Sequence, residues 1–369
     1  MMQLIHLFLL LFLQGCTVTQ PEVYPPYRGN VDPYIIYNEN GTIDLKSFDK
    51  SQNIYSERFN SREQIDLIRV ETQEGNYYFN VKLHDNIVIP DAHYEIPEQI
   101  FVISDPHGDA VSFITGLQGN KIIDDEFNWI FGQNHLVVLG DVHNRGDDVT
   151  AIFWLIYKLE AQAQDAGGAV HLLLGNHEVM VAQNDLRYTN EKYDKIANEI
   201  GIGFDVLWSN KTELGRWVQS RNTMMTIGDI LFLHAGVSPE LAETDLTITQ
   251  VNDTVRKYMA LPRRASEDPS SIAHLVMRTN GPLWYRGLAT PDETVNKTVV
   301  SGILDRFGVK KIIIGHTILP EISTLFDGLV ISTKVNTQRN LEREASRALM
   351  ITPNDIWSVD NNGKRMEFE

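Results

Sequence analysis

The pattern of apolar and polar positions changes character near residue 100. From Tyr34 to about Pro97, short apolar stretches are separated by turn residues. Ile35-Ile36-Tyr37 and Ile43-Asp44-Leu45 flank Asn38-Glu39-Asn40-Gly41, and Leu67-Ile68-Arg69-Val70 and Tyr77-Tyr78-Phe79-Asn80-Val81 flank Glu74-Gly75. Each pair predicts a hairpin. From Ile100 onward come five nearly continuous apolar runs, the signature of strands covered on both faces. They are Ile100 to Ile103, Leu136 to Leu139, Val170 to Leu174, Ile230 to Leu233 and Ile312 to Ile314. Between the second and third, Ile152, Leu155, Ile156 and Leu159 recur at helical spacing until Gly167-Gly168 stop the element. Strand and helix therefore alternate, which predicts an α/β sheet. Ala348 to Ile351 and Ile356 to Val359 bracket Thr352-Pro353-Asn354-Asp355 and predict a closing hairpin.

A different apolar run opens the chain, from Leu4 to Leu13. It is too short to span a bilayer comfortably and has the length of a signal-peptide core. It ends at Leu13-Gln14-Gly15-Cys16, similar to a bacterial lipobox, and Cys16 is the only cysteine. The expected organisation is an export signal at residues 1–16 with a lipidated Cys16, then a Pro-containing tether at 17–33. A β-rich extension at 34–98 and the α/β body at 99–369 complete the chain. The expected location is the periplasm or membrane surface of a bacterium, with the membrane touched only through the N-terminal lipid. The 369 residues, 43% hydrophobic and 22% charged, suffice for a sizeable core, and a net charge of −17 argues against nucleic acid as partner.

The chemistry lies immediately after each buried run. The first continues as Ser104-Asp105-Pro106-His107-Gly108-Asp109, the second as Gly140-Asp141-Val142-His143-Asn144-Arg145-Gly146 and the third as Gly175-Asn176-His177-Glu178. The fourth continues as His234-Ala235-Gly236 and the fifth as Gly315-His316-Thr317. In an open α/β sheet, ligands bind beyond the carboxyl ends of the strands, so these residues converge although they are far apart in sequence. One histidine at a strand end is ordinarily a surface or capping residue, and one Asp-Gly a turn. Five potential metal ligands, each behind a buried strand, point to a metal centre. Mixed carboxylate, imidazole and amide donors suit Mn, Fe or Zn better than Ca or Mg.

In this order the five motifs resemble the calcineurin-like metallophosphoesterases. Gly175-Asn176-His177-Glu178 with Arg145-Gly146 resembles their phosphoprotein phosphatase branch. Gly315-His316-Thr317 and Gly281-Pro282-Leu283-Trp284-Tyr285-Arg286-Gly287 are most similar to the bacterial Shewanella-like protein phosphatases. The resemblance covers about Ile100 to Val335 and implies a two-sheet β-sandwich flanked by helices. It further implies two divalent metal ions, one on Asp105 and His107, the other on Asn176, His234 and His316, with Asp141 bridging. Such a pair can share a hydroxide for in-line attack on phosphate. By the same resemblance Arg145 and Arg286, with Asn176 beside them, bind the substrate phosphate, and His177 is the proton donor to the leaving oxygen. The implied substrate is a phosphorylated protein, phosphotyrosine included, or a small phosphomonoester. Nucleotide or dinucleoside polyphosphate hydrolysis on the same site, and a weakly active phosphoprotein-binding module, remain as alternatives.

Two departures stand out. The residue before Arg145 is normally Asp in the family and pairs with the catalytic histidine; here it is Asn144, which adds no charge opposite a protonated imidazole. Asp147 or Asp148 is a candidate to replace that charge. After His316 the family's Asp-x-Gly gives way to Ser332-Thr333-Lys334-Val335-Asn336. His135, His143 and His274 receive no role.

Overall fold

In the computed structural model, which describes residues 29–366 and Phe368, the leader, Cys16 and the first part of the expected tether lie outside the described residues. The N-terminal segment forms a five-stranded sheet from β1 (Val31–Tyr37), β2 (Ile43–Phe48), β3 (Ile54–Phe59), β4 (Ile68–Glu71) and β5 (Tyr78–Val81), ordered β3-β2-β1-β4-β5. Both expected hairpins are present as antiparallel pairs. The first strand starts at Val31, inside the segment expected to be tether. Its first residues are fixed by contacts distant in sequence: Asp32 is buried against Lys192, and the Pro33 carbonyl accepts from Trp154 Nε1 at 2.8 Å.

The body contains two six-stranded sheets. One uses β6 (His93–Tyr94), β10 (Met224–Ile227), β11 (Ile230–Leu233), β12 (Lys311–Ile314), β13 (Ser323–Leu325) and β14 (Val330–Ser332). The other uses β7 (Ile100–Ile103), β8 (His135–Val138), β9 (Ala169–Leu172), β15 (Ala348–Ile351), β16 (Ile356–Val359) and β17 (Arg365–Met366). β7, β8 and β9 are parallel, and the predicted helix appears as Val149–Asp165 in the crossover from β8 to β9.

Side chains alternate along these strands between two cores, as the two-residue period of a strand requires. Ile100, Val102, Val137, Phe232, Ile313 and Leu349 point inward and form the core between the sheets. Their neighbours Phe101, Ile103, Leu136, Leu231, Ile312 and Met350 point outward and pack under helices. This is why the runs read as continuous hydrophobic stretches. The outer core also takes in Tyr34, Ile35, Ile68 and Phe79 of the N-terminal sheet, so the extension shares the hydrophobic core of the body. β6 lies inside the segment assigned to the extension yet pairs with β10, which makes it part of the body. Among the described residues no helix is long and apolar enough to cross a membrane.

Candidate metal centre

The loops that leave β7, β8 and β12 carry Asp105, His107, Asp141, Asn144, Arg145 and His316, all with positive φ between 46° and 73°. Non-glycine residues seldom adopt this backbone, and its concentration here marks a site where position is held against local preference. At Gly175 any Cβ would overlap Asp141 Oδ1, so only glycine lets the Asn176-His177 turn approach that carboxylate.

Asp141 lies at the centre. Its Oδ1 accepts from the His177 backbone N–H at 3.0 Å. Its Oδ2 lies 3.3 Å from His234 Nε2 and 3.8 Å from both His107 Nε2 and His177 Nε2. The donor atoms of His107, Asp141 and His177 fall within 4.8 Å of one another, as do those of Asp141, His234 and His316. Asn176 Oδ1 is 3.0 Å from His234 Nε2, and His316 Nδ1 is 3.1 Å from the same nitrogen. Asp105 belongs to neither group. Its Oδ1 accepts from the His316 N–H at 3.2 Å, and its Oδ2 is buried with no hydrogen-bond partner.

These residues fit divalent cations. His107 Nδ1 donates to the His143 carbonyl at 2.9 Å and His234 Nδ1 to the Leu139 carbonyl at 2.6 Å. In each ring that hydrogen bond directs Nε2 toward Asp141, where it can ligate a cation shared with the carboxylate. Burial pushes His107 down to about 4 and His316 down to about 2, so both rings are neutral at physiological pH, as ligation requires. For His234 burial acts in the same direction, but the Asp141 carboxylate overrides it and lifts the ring to about 9. Without metal, His234 thus holds a proton that an entering cation would displace.

His177 differs from the other rings. Thr189 Oγ1 donates to Asn144 Oδ1 at 3.0 Å, which leaves the Asn144 amide NH2 facing His177 Nδ1 at 2.7 Å. A ring that accepts at Nδ1 carries its proton on Nε2, the nitrogen that faces Asp141. Neither Asp147 nor Asp148 replaces the absent carboxylate. Asp147 Oδ1 accepts from Asn190 Nδ2, and Asp148 is bound to the backbone of Gln73 and Glu74.

Arg145 is exposed, and its N–H donates to the Tyr188 carbonyl at 3.0 Å. Arg286 is also exposed and donates from Nη1 to Thr317 Oγ1 at 3.0 Å, beside His316. Tyr188, half exposed, lies with its ring 5.4 Å from that of His177. Lys334, from the altered segment, is buried and donates to the Asp105 carbonyl at 3.0 Å. His143 supports the site through its carbonyl and through Nδ1, 3.2 Å from Glu178 Oε1, with its ring packed on Trp208 and Phe153. His135 lies at the opposite end of β8 against His171, and His274 lies in the helix Ile272–Met277.

Glu178 is the residue whose importance the sequence did not reveal. Its buried carboxylate accepts from the backbone N–H of Asp141, Val142, His143 and Gly175 at 2.7 to 3.1 Å. It thereby ties the loop after β8 to the turn after β9. Only its position directly after His177 hinted at this.

Residues 98–320 match the calcineurin-like phosphoesterases. The chain belongs to the calcineurin-like phosphoesterase family. The crystal structure of a cold-active protein-tyrosine phosphatase from a psychrophilic Shewanella species superposes with a TM-score of 0.80 at 31% identity, covering 91% of this chain and 98% of that one. An uncharacterised protein of Schizosaccharomyces pombe is 30% identical over 65% of this chain and 76% of its own length. Shewanella-like protein phosphatase 2 of Arabidopsis thaliana is 23% identical over 61% of this chain and 67% of its own. With its cluster of His and Asp ligands, this member of the calcineurin-like phosphoesterases is a metal-dependent phosphatase.

Proposed function

We propose that this chain removes phosphate from phosphorylated proteins, phosphotyrosine foremost, at a site for two divalent ions of Mn, Fe or Zn. The observation that carries this reading is the single carboxylate of Asp141, whose Oδ2 faces Nε2 of both His107 and His234, rings from two different strand ends. Asp105, His107 and Asp141 would hold one ion, and Asp141, Asn176, His234 and His316 the other. When bound, the ions supply Lewis-acid charge that activates water and offsets the charge of the phosphate. Arg145 and Arg286, free to face solvent at the rim, grip the phosphoryl oxygens, with Asn176 beside them. His177, its Nε2 proton set by Asn144, donates to the leaving oxygen. The half-exposed ring of Tyr188, 5.4 Å from that of His177, offers an aromatic wall to an aryl leaving group.

The test is a panel of phosphotyrosine and phosphoserine peptides, an aryl phosphate and a dinucleoside polyphosphate, with the full chain loaded with Mn. Faster hydrolysis of the phosphotyrosine peptide is expected. Preference for the dinucleoside substrate would overturn the protein-phosphatase reading. Binding of metal and phosphopeptide without turnover would favour a phosphoprotein-binding module, the reading that Asn144 motivates.

Asn144 also supplies a prediction of gain. Asn144→Asp places a negative charge 2.7 Å from His177 Nδ1 and supports the protonated ring, so kcat at neutral pH rises by about tenfold. Unchanged kcat across the pH range would remove His177 as proton donor. We further propose export with lipidation at Cys16, which intact mass measurement of the mature N-terminus would decide: an unmodified residue there, or an uncleaved leader, overturns it.

A further inference from the structure

Residues 139–148 join β8 to the helix Val149–Asp165 and have no strand or helix of their own. Asn144 and Arg145 both sit at φ 73°, a conformation that side-chain-bearing residues seldom adopt and that persists only when its surroundings over-determine it. On one side the restraint is the ligand motif. The Gly146 N–H donates to the His107 carbonyl at 2.9 Å and the Asp148 N–H to the Gly108 carbonyl at 3.1 Å. Gly146 and Gly108 pack so closely that a Cβ on Gly108 would fall 2.7 Å from the Gly146 backbone. These contacts tie the loop to the ligand motif without passing through the N-terminal sheet.

On the other side the restraint comes from the N-terminal sheet. Lys192, buried in the first turn of the helix Glu191–Ile200, donates from Nζ to the Asp147 carbonyl at 2.6 Å, and the same Nζ is 2.6 Å from Asp32 Oδ2 in β1. Asp148 Oδ1 and Oδ2 accept from the N–H groups of Gln73 and Glu74 at 2.5 and 3.1 Å, in the turn between β4 and β5. Asn190 Nδ2 completes the clasp by donating to the carbonyl of Arg145 at 3.0 Å. One strand and one turn of the extension thus converge on the loop that carries Asn144 and Arg145. A buried ion pair such as Asp32–Lys192 is poor evidence for stability alone, since apolar packing commonly replaces it without loss. Its two-point contact, to a strand and to a carbonyl of the loop, is what a positioning device needs.

We infer that the N-terminal five-stranded sheet positions the phosphate site, with Lys192 and Asp148 as the positioning residues that transmit its register to Arg145. The inference rests on the phosphate-binding role proposed for Arg145, and it gives the extension work to do in the reaction while it touches neither metal nor substrate.

The test compares Lys192→Met, Lys192→Arg and Asp148→Asn in the full chain. Binding of inorganic phosphate is measured by calorimetry, metal content by mass spectrometry, and amide exchange over residues 142–149 alongside KM and kcat for an aryl phosphate. For Lys192→Met and Asp148→Asn, the phosphate dissociation constant and KM rise by about tenfold, while kcat changes less than about threefold and metal content is unchanged. Exchange over 142–149 quickens, and Lys192→Arg recovers most of the affinity because it keeps the charge and the donor. Folded variants with unaltered phosphate affinity overturn the inference, as do variants in which metal and phosphate binding fall together. Should Lys192→Met not fold, Asp148→Asn carries the same reading, since its amide can no longer accept both N–H groups. Failure of the native protein to bind phosphate would instead reject the proposed function.

Discussion

Asp141→Asn should lose bound metal and lower turnover by about 10³-fold, the largest effect expected of any single substitution in this chain. The amide is isosteric and still accepts from the His177 N–H, so the loop geometry survives while the charge facing His107, His177 and His234 is gone. A second signature sets charge apart from shape. In the metal-free native protein the Asp141 carboxylate lifts His234 to about 9 against the opposing effect of burial, and in the variant that support is absent. The His234 ring should therefore titrate well below its native value, which nuclear magnetic resonance of the imidazole would follow. Metal retained at native stoichiometry, with turnover within about tenfold of native, would mean that no bridging carboxylate is needed.

Glu178→Gln should destabilise the fold by about 3–5 kcal/mol, because one buried carboxylate accepts from four backbone N–H groups and the amide cannot. Its pH dependence identifies the cause. Burial alone would raise this carboxyl, but the hydrogen bonds from the His143 ring and the loop amides outweigh it and hold the group below its ordinary value. A carboxyl lowered by folding contributes its full stability above its unfolded value of about 4.3 and loses it as pH falls through the folded value. The gap between native and variant, measured by chemical denaturation, should be widest near neutrality and narrow below about pH 4. A gap independent of pH would place the loss in packing.

The legible part of this site was the part written in contiguous residues. Each ligand comes directly behind a strand recognisable as a buried run, so the convergence of Asp105, Asp141, Asn176, His234 and His316 could be read from topology. Strands β3, β6, β10, β13, β14 and β17 were missed. Ile54–Phe59 has no buried residue and carries polar residues at its centre, and Met224–Ile227 is a short run interrupted by Thr226, so its hairpin turn Gly228-Asp229 was passed over. The supports of the site escaped for a different reason. Glu178, Lys192 and Lys334 act on backbone groups of residues distant in sequence, and a carbonyl or N–H leaves no trace in side-chain identity. Asn144 was recognisable as a departure, but its partner Thr189 and the resulting tautomer of His177 needed coordinates.

The placing of β15 bears on how the protein is made. Ala348–Ile351 pairs in register with Ile100–Ile103, so the strand that delivers Asp105 and His107 is flanked by β8 on one edge and by a late segment of the chain on the other. During synthesis that edge stays open until residues 348–351 leave the ribosome, exposing an apolar strand with unpaired amides to aggregation. Assembly of the complete sheet under Asp105 and His107 therefore waits on residues 348–351, and a chain truncated before residue 348 would leave that edge to seek its missing strand in its neighbours.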